Sequence, residues 1–215
     1  DPIRASLRAR PTFRLPLAEI VLEAHHLALT SDANWALGID DAYASIRADA
    51  TPANSYRLGL KVSNITPDAA LIAKLADTAL PPMVPEVYLD AHATLSAPLD
   101  RHAGETKPQL IGLEIVDAHV LWGDLDFYAS GSLAAGKDGL AEGEIAMRVK
   151  NWRVLPKLLV DLGFVKPEIA PTVERALQVI AAQTPDREVL AMTLRSRDGW
   201  VNFGPFPLGP APRFN

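Results

Sequence analysis

The chain has 215 residues, 48% hydrophobic and 22% charged, the balance of a globular domain that buries roughly 70% of its unfolded surface. It contains no cysteine, which excludes disulfides, thiolate metal sites and thiol nucleophiles. A net charge of -5 and a pI of 5.5 argue against long-range attraction to nucleic acid, and no apolar run approaches the roughly 18 residues of a membrane span.

The first residues, "DPIRASLRAR", lack a Met and already alternate like a strand, as expected of a fragment or a processed chain. Arg4, Arg8, Arg10 and Arg14 stand there against Asp1 alone. They read as a solvated basic edge strand in preference to a contact with anionic headgroups. Residues 19–29 place Ile20, Leu22 and Ala24 on one face, and the apolar phase then moves to Leu27 and Leu29, which predicts a bulge near His25 and His26. "WALGI" and "AYASIRA" read as two short strands around Asp40 and Asp41. "SYRLGLKVSN" sets Tyr56, Leu58, Leu60 and Val62 in phase, with Asn64 after them.

The period then changes. In "TPDAALIAKLADTA", Leu71, Ile72 and Leu75 recur at helical spacing, with Thr66 as cap, Pro67 at the first helical position and Asp68 at the positive end of the dipole. "VPEVYLDAHATLS" returns to strand with Val87, Leu89, Ala91, Ala93 and Leu95 inward, and "DRHAGETKP" is a polar loop. Residues 109–122 and 124–134 are strands around Gly123, "AAGKDG" is a hairpin turn, and "EGEIAMRVKN" is the returning strand. A helix follows over "LPKLLVDLG", between Pro156 and Gly163. A second runs over "PTVERALQVIAAQ" with a Val173, Leu177 and Ile180 stripe. "REVLAMTLRS", the turn "RDG" and "WVNFG" form the last hairpin. The tail "PFPLGPAPRFN" is too rich in proline for the middle of a sheet.

Residues 57–76 align with 144–163, matching Val62 to Val149, Asn64 to Asn151, Leu71 to Leu158 and Leu75 to Leu162. Each copy reads as apolar strand, Asn, large apolar residue, then a helix with an early proline, so the chain is expected to use one sheet-plus-helix unit twice. The paired Asn residues are then structural joints, because a short amide satisfies backbone groups where a strand gives way to a helix.

No phosphate loop, dinucleotide fingerprint, nucleophile elbow or metalloprotease helix motif occurs. An acid-Ala-His triplet recurs at Glu23–His25, Asp90–His92 and Asp117–His119, each setting a carboxylate beside an imidazole on one strand face. Convergence of His25, His92 and His119 would build a metal site. Solvent-facing positions are the simpler reading, since Tyr88, Thr94 and Ser96 share the phase of His92. Asp124 and Asp126 read as a charged hairpin edge in preference to a cation site. Trp35, Trp122, Trp152 and Trp200 all lie in or beside strands and are read first as core.

The stretches "LWGDLDFYASGSLAAGKDGLAEGEIAMRVKNWRVL" and "RDGWVNFGPFPLGPAPRF" resemble an alphaproteobacterial envelope family, the domain-of-unknown-function family numbered 2125. The resemblance covers residues 86–215 well and the first 85 poorly. The cadence of Gly-rich strand, Asn-terminated strand, helix and final "DG" hairpin is also similar to the repeats of AsmA-type periplasmic proteins. The resemblance implies an envelope protein anchored by an amino-terminal segment outside this chain and an apolar sheet face that handles lipid, and it carries no catalytic residues.

These readings together predict an α+β, β-rich single domain over 1–215, with pseudo-repeat halves of about 1–100 and 101–215. A curved antiparallel sheet would carry about three short helices on one face. The expected function is non-enzymatic and periplasmic: the apolar sheet face holds a lipid or acyl ligand or docks an envelope partner, without cofactor or nucleic acid. Groove candidates are Leu58, Leu60, Trp122, Phe127, Met147, Trp152 and Phe203. The alternatives are a closed-core interaction scaffold and a metal-dependent enzyme built on the triplets.

Overall fold

Alternation with period two, punctuated by short turns, can bury one side of each segment only by pairing neighbours. The chain does this eleven times. β1 (Ile3–Ala9), β2 (Leu17–Ser31), β3 (Trp35–Ala48), β4 (Ser55–Pro67), β5 (Val84–Leu95), β6 (Leu110–Trp122), β7 (Leu125–Ala135), β8 (Ala141–Lys150), β9 (Val189–Arg197), β10 (Trp200–Phe203) and β11 (Phe206–Pro210) form one antiparallel sheet in chain order. The computed structural model describes residues 3–32, 35–75, 80–163, 165–203 and 206–214, the side chains of Trp35, Leu71, Lys74, Phe206 and Pro207 excepted.

Turn chemistry sets the registers. Arg197 pairs with Trp200 across Asp198 and Gly199, whose φ values of 52° and 78° are those of a tight hairpin turn matched to sheet twist. The proline-rich tail forms β11 at the sheet edge, where missing amide donors do no harm.

Several long strands change phase partway. The step predicted as a bulge at His25 and His26 is a left-handed residue: His26 has φ 52°, and the register continues unshifted from His25–Asp41 to Leu27–Ile39. Asn64, at the same level of the sheet two strands away, has φ 53°, and Asn151 at the end of β8 has φ 56°. A left-handed residue turns the strand about its axis, so an apolar side chain three positions on returns to the face it would have left. "WALGI" and "AYASIRA" are one continuous strand, β3, which has no left-handed residue of its own and pairs without a register shift with both β2 and β4. The left-handed Asn64 lets β4 run through Thr66 and Pro67, so neither opens the helix as predicted. The helix α1 begins later, at Ala69–Leu75, and the predicted residues 76–79 lie outside the described ones.

The remaining α-helices among the described residues are α2 (Ala103–Thr106), a single turn inside the predicted polar loop, α3 (Leu155–Asp161) and α4 (Ala170–Ala181). Leu75 of α1, Leu158 of α3, and Leu177 and Ala181 of α4 form one buried cluster with Val84, Trp122, Leu125, Val149, Trp152 and Leu190. Val173 and Ile180 pack against it, completing the predicted α4 stripe. The core therefore sits at one end of the β4–β9 strands. The accessible surface is 13258 Å², against about 9,700 Å² for a compact monomer of 23.2 kDa, as an open sheet requires.

Candidate functional site

Alternation and register divide the sheet into two chemically distinct faces. The outer face is polar and ion-paired. Arg57 grips Asp90 through two bonds of 2.8 and 2.6 Å, and Glu19 takes Arg47 at 2.6 Å and Arg8 at 3.3 Å. Lys61 meets Glu86 at 2.8 Å, Glu86 meets His119 at 3.0 Å, and His119 stacks on Tyr88 with ring centroids 4.9 Å apart. Hydrogen bonds from Lys61 and then His119 hold the Glu86 carboxyl below its usual range. Burial works against charge on His119, but bonds to Glu86 and Asp117 outweigh it and raise the imidazole above the ordinary histidine value.

The three acid-Ala-His triplets all lie on this face and do not converge. His25 pairs with Asp41 of β3 at 2.6 Å, His92 with Asp49 at 2.8 Å, and His119 with Glu86 and Asp117. Among the described residues no group of three or more His, Cys, Asp or Glu is placed to hold a metal ion. Asp117 and Asp126 line a groove of about 750 Å³ on this face, together with Tyr128, Arg148 and Lys150.

The inner face is apolar across its width. One cross-strand row runs Ala24, Ala42, Val62, Val87, Val120, Phe127, Val149, Leu190. The next runs Leu22, Ala44, Leu60, Leu89, Ala118, Ala129, Met147, Met192, and a third Ile20, Ile46, Leu58, Ala91, Ile115, Gly131, Ile145, Leu194. The helix-capped cluster takes five members of the first row, Met192 of the second and none of the third. Leu22, Leu58, Leu60, Leu89 and Met147 thus stay partly open to solvent, outside the helix-capped cluster. At Met192 the second row reaches a groove of about 650 Å³ beside α4, lined also by Arg175, Val179, Ile180 and Phe203.

The groove candidates therefore separate by place. Leu58, Leu60 and Met147 lie on the open rows, and Phe203 lines the α4 groove. Phe127 packs against the helix-capped cluster, and Trp122 and Trp152 are sealed within it. Their ring nitrogens donate to the carbonyls of Pro81 at 2.8 Å and Arg187 at 3.1 Å, as buried indoles require. Trp200 is exposed, and the side chain of Trp35 lies outside the described ones. The Asn151 side chain donates to the Asp124 carbonyl, and its backbone N–H donates to Glu188 at 2.8 Å. Leu22, Leu89 and Met192 share the row of Leu60 and are missed by the sequence reading. Their alternation is visible in sequence, but membership of one row depends on register between strands.

The family model described as an uncharacterized protein conserved in bacteria (DUF2125) matches residues 1–212, so the likeness reaches well beyond residues 86–215. No curated protein and no solved structure matches the chain.

Proposed function

The chain belongs to the DUF2125 family of conserved bacterial proteins, and from that premise we propose that it is a non-enzymatic protein of the cell envelope whose inner sheet face holds a lipid acyl chain. The observation that carries this reading is the pair of continuous apolar rows through Leu60 and Leu58, which lie outside the helix-capped cluster except at Met192. Burial of apolar surface stabilises by about 25 cal/mol per Å², so an extended hydrocarbon laid along such rows gains on both sides. The groove beside α4 closes one end of the track. Arg175, without a carboxylate partner among the described residues, is the natural group there for a phosphate or carboxylate head.

The same proposal includes a periplasmic setting in an alphaproteobacterium, an amino-terminal anchor outside this chain, and a construction from two AsmA-like sheet-plus-helix units. The left-handed Asn64 and Asn151, each followed by an apolar core residue, support the repeated unit. Solvent extraction of the purified protein followed by mass spectrometry, with titration of a fluorescent fatty-acid probe, tests the acyl reading. Co-purified lipid and saturable uptake, lost in Leu60→Glu, are expected. No lipid and no uptake would overturn it and leave the interaction scaffold.

A further inference from the structure

We propose that the turn joining β1 to β2 is a docking surface for an anionic phospholipid bilayer. This corner exposes two large apolar side chains on a rigid support: Phe13 is 81% exposed and Leu15 48%. Their exposure does not come from fraying. Arg10 N–H donates to Pro16 at 2.9 Å and Leu15 N–H to Thr12 at 3.0 Å, while Arg101 N–H donates to Arg14 at 3.2 Å and Leu17 N–H to Leu99 at 2.7 Å. Leu15 is held at φ 48°, a region that leucine rarely occupies, so the closed turn keeps this side chain outward at a conformational cost.

Arg10, Arg14 and Arg101 outnumber the carboxylates Asp100 and Glu105 in this corner, an excess of positive charge opposite to the net charge of the whole chain. The Arg101 guanidinium lies 3.9 Å from the centre of the Phe13 ring. Arg10 and Arg14 have no carboxylate partner among the described residues. Glu19 is ion-paired to Arg8 and Arg47, Asp100 accepts from the His102 backbone N–H at 2.8 Å, and Glu105 lies 3.4 Å from the His102 ring. An aromatic ring and a leucine flanked by guanidinium groups match the headgroup boundary of an anionic bilayer, where rings lie at headgroup level and arginines reach phosphate. An acidic protein partner would satisfy the arginines but not call for apolar side chains projecting singly from a turn.

The test is co-sedimentation of the 215-residue chain with vesicles of phosphatidylglycerol and phosphatidylcholine, or of phosphatidylcholine alone. Binding to the anionic vesicles is expected, weakening with salt. Arg10→Glu with Arg14→Glu should lower partitioning by at least about 25-fold, at roughly fivefold for each arginine lost. Phe13→Ser, or Leu15→Asn, which tolerates the left-handed backbone, should weaken the binding that persists at high salt. Circular dichroism monitors folding, which these exposed positions leave intact. Absence of binding to anionic vesicles, or variants that bind like the parent, would overturn the proposal. So would a dimer in analytical ultracentrifugation that the same variants dissociate, since a second copy would then occupy the corner. The inference stands apart from the acyl reading: fatty-acid uptake without vesicle binding overturns this one alone, and the reverse result overturns only the other.

Discussion

Asn64 and Asn151 share a left-handed backbone, at φ 53° and 56°, each two residues after a valine and one before a large apolar side chain. Val149 and Trp152 both enter the helix-capped core, and Ile65 packs against it. A regular strand would send residues three apart to opposite faces. The left-handed residue brings both to the same one, and Asn bears that conformation better than any branched side chain. At residue 151 the side chain adds a bond to the Asp124 carbonyl that ties β8 to the β6–β7 turn.

Asn151→Val is therefore expected to destabilise by about 2–3 kcal/mol, from backbone strain together with the lost bond. Asn151→Gly keeps the conformation and should lose about 1 kcal/mol. Urea unfolding of the two variants checks the order. Equal losses would mean that the left-handed backbone is not what selects Asn here.

Gly131 and Gly143 lie where the facing backbone of the β7–β8 pair leaves no room for a Cβ. A Cβ on Gly131 would lie 2.2 Å from the Glu144 carbonyl oxygen, and one on Gly143 would lie 2.1 Å from that of Ser132. Both obstacles are backbone, so either Gly→Ala change must shift the sheet and should cost about 3 kcal/mol. Gly104→Ala meets nothing within 4 Å and should be neutral or slightly stabilising. Thermal melts of the three variants distinguish these outcomes.

The Lys61, Glu86 and His119 chain links folding to pH from both sides. Glu86 has a lowered folded pKa, so its contribution is present above the ordinary glutamate value and fades as pH falls through the folded one. His119 has a raised folded pKa, so its contribution is complete below the ordinary histidine value and is lost as pH rises through the folded one. The network is strongest in weakly acidic solution. The gap in urea midpoint between the parent and His119→Gln should be larger at about pH 5.5 than at about pH 8.5. A gap that grows with pH would contradict this assignment.

Leu190 and Leu60 test where the core ends. Leu190 is fully buried beneath α4, and Leu190→Ala should cost about 2–5 kcal/mol through cavity formation. Leu60 lies on the open row, and Leu60→Ala should cost about 1 kcal/mol while reducing fatty-acid uptake. A comparable loss at both positions would mean that the inner face is covered along its whole length.

Much of the sheet is readable from local pattern, because every strand pairs with its neighbour in sequence. Alternation, the "RDG" turn and the tail prolines each act over a few residues. The helices over Leu155–Asp161 and Ala170–Ala181 follow from proline, glycine and apolar spacing in the same way. The phase changes were also visible, but three of them resemble strand ends or a bulge until φ is known. Asn64 therefore hid the continuation of β4 through Thr66 and Pro67.

The amino-acid sequence by itself determined most of the strands, the two-faced alternation and the polar character of the face that carries His25, His92 and His119. Tertiary structure alone decided which equivalent residues do different work. Trp152 and Trp200 both lie beside strands, yet one is sealed under helices and the other is exposed. Val149 and Leu22 both alternate inward, yet one is core and the other open. The physical reason is that alternation states which side of a strand is apolar, whereas burial depends on what crosses above it. That is set by long-range packing of α1, α3 and α4 at one end of the sheet.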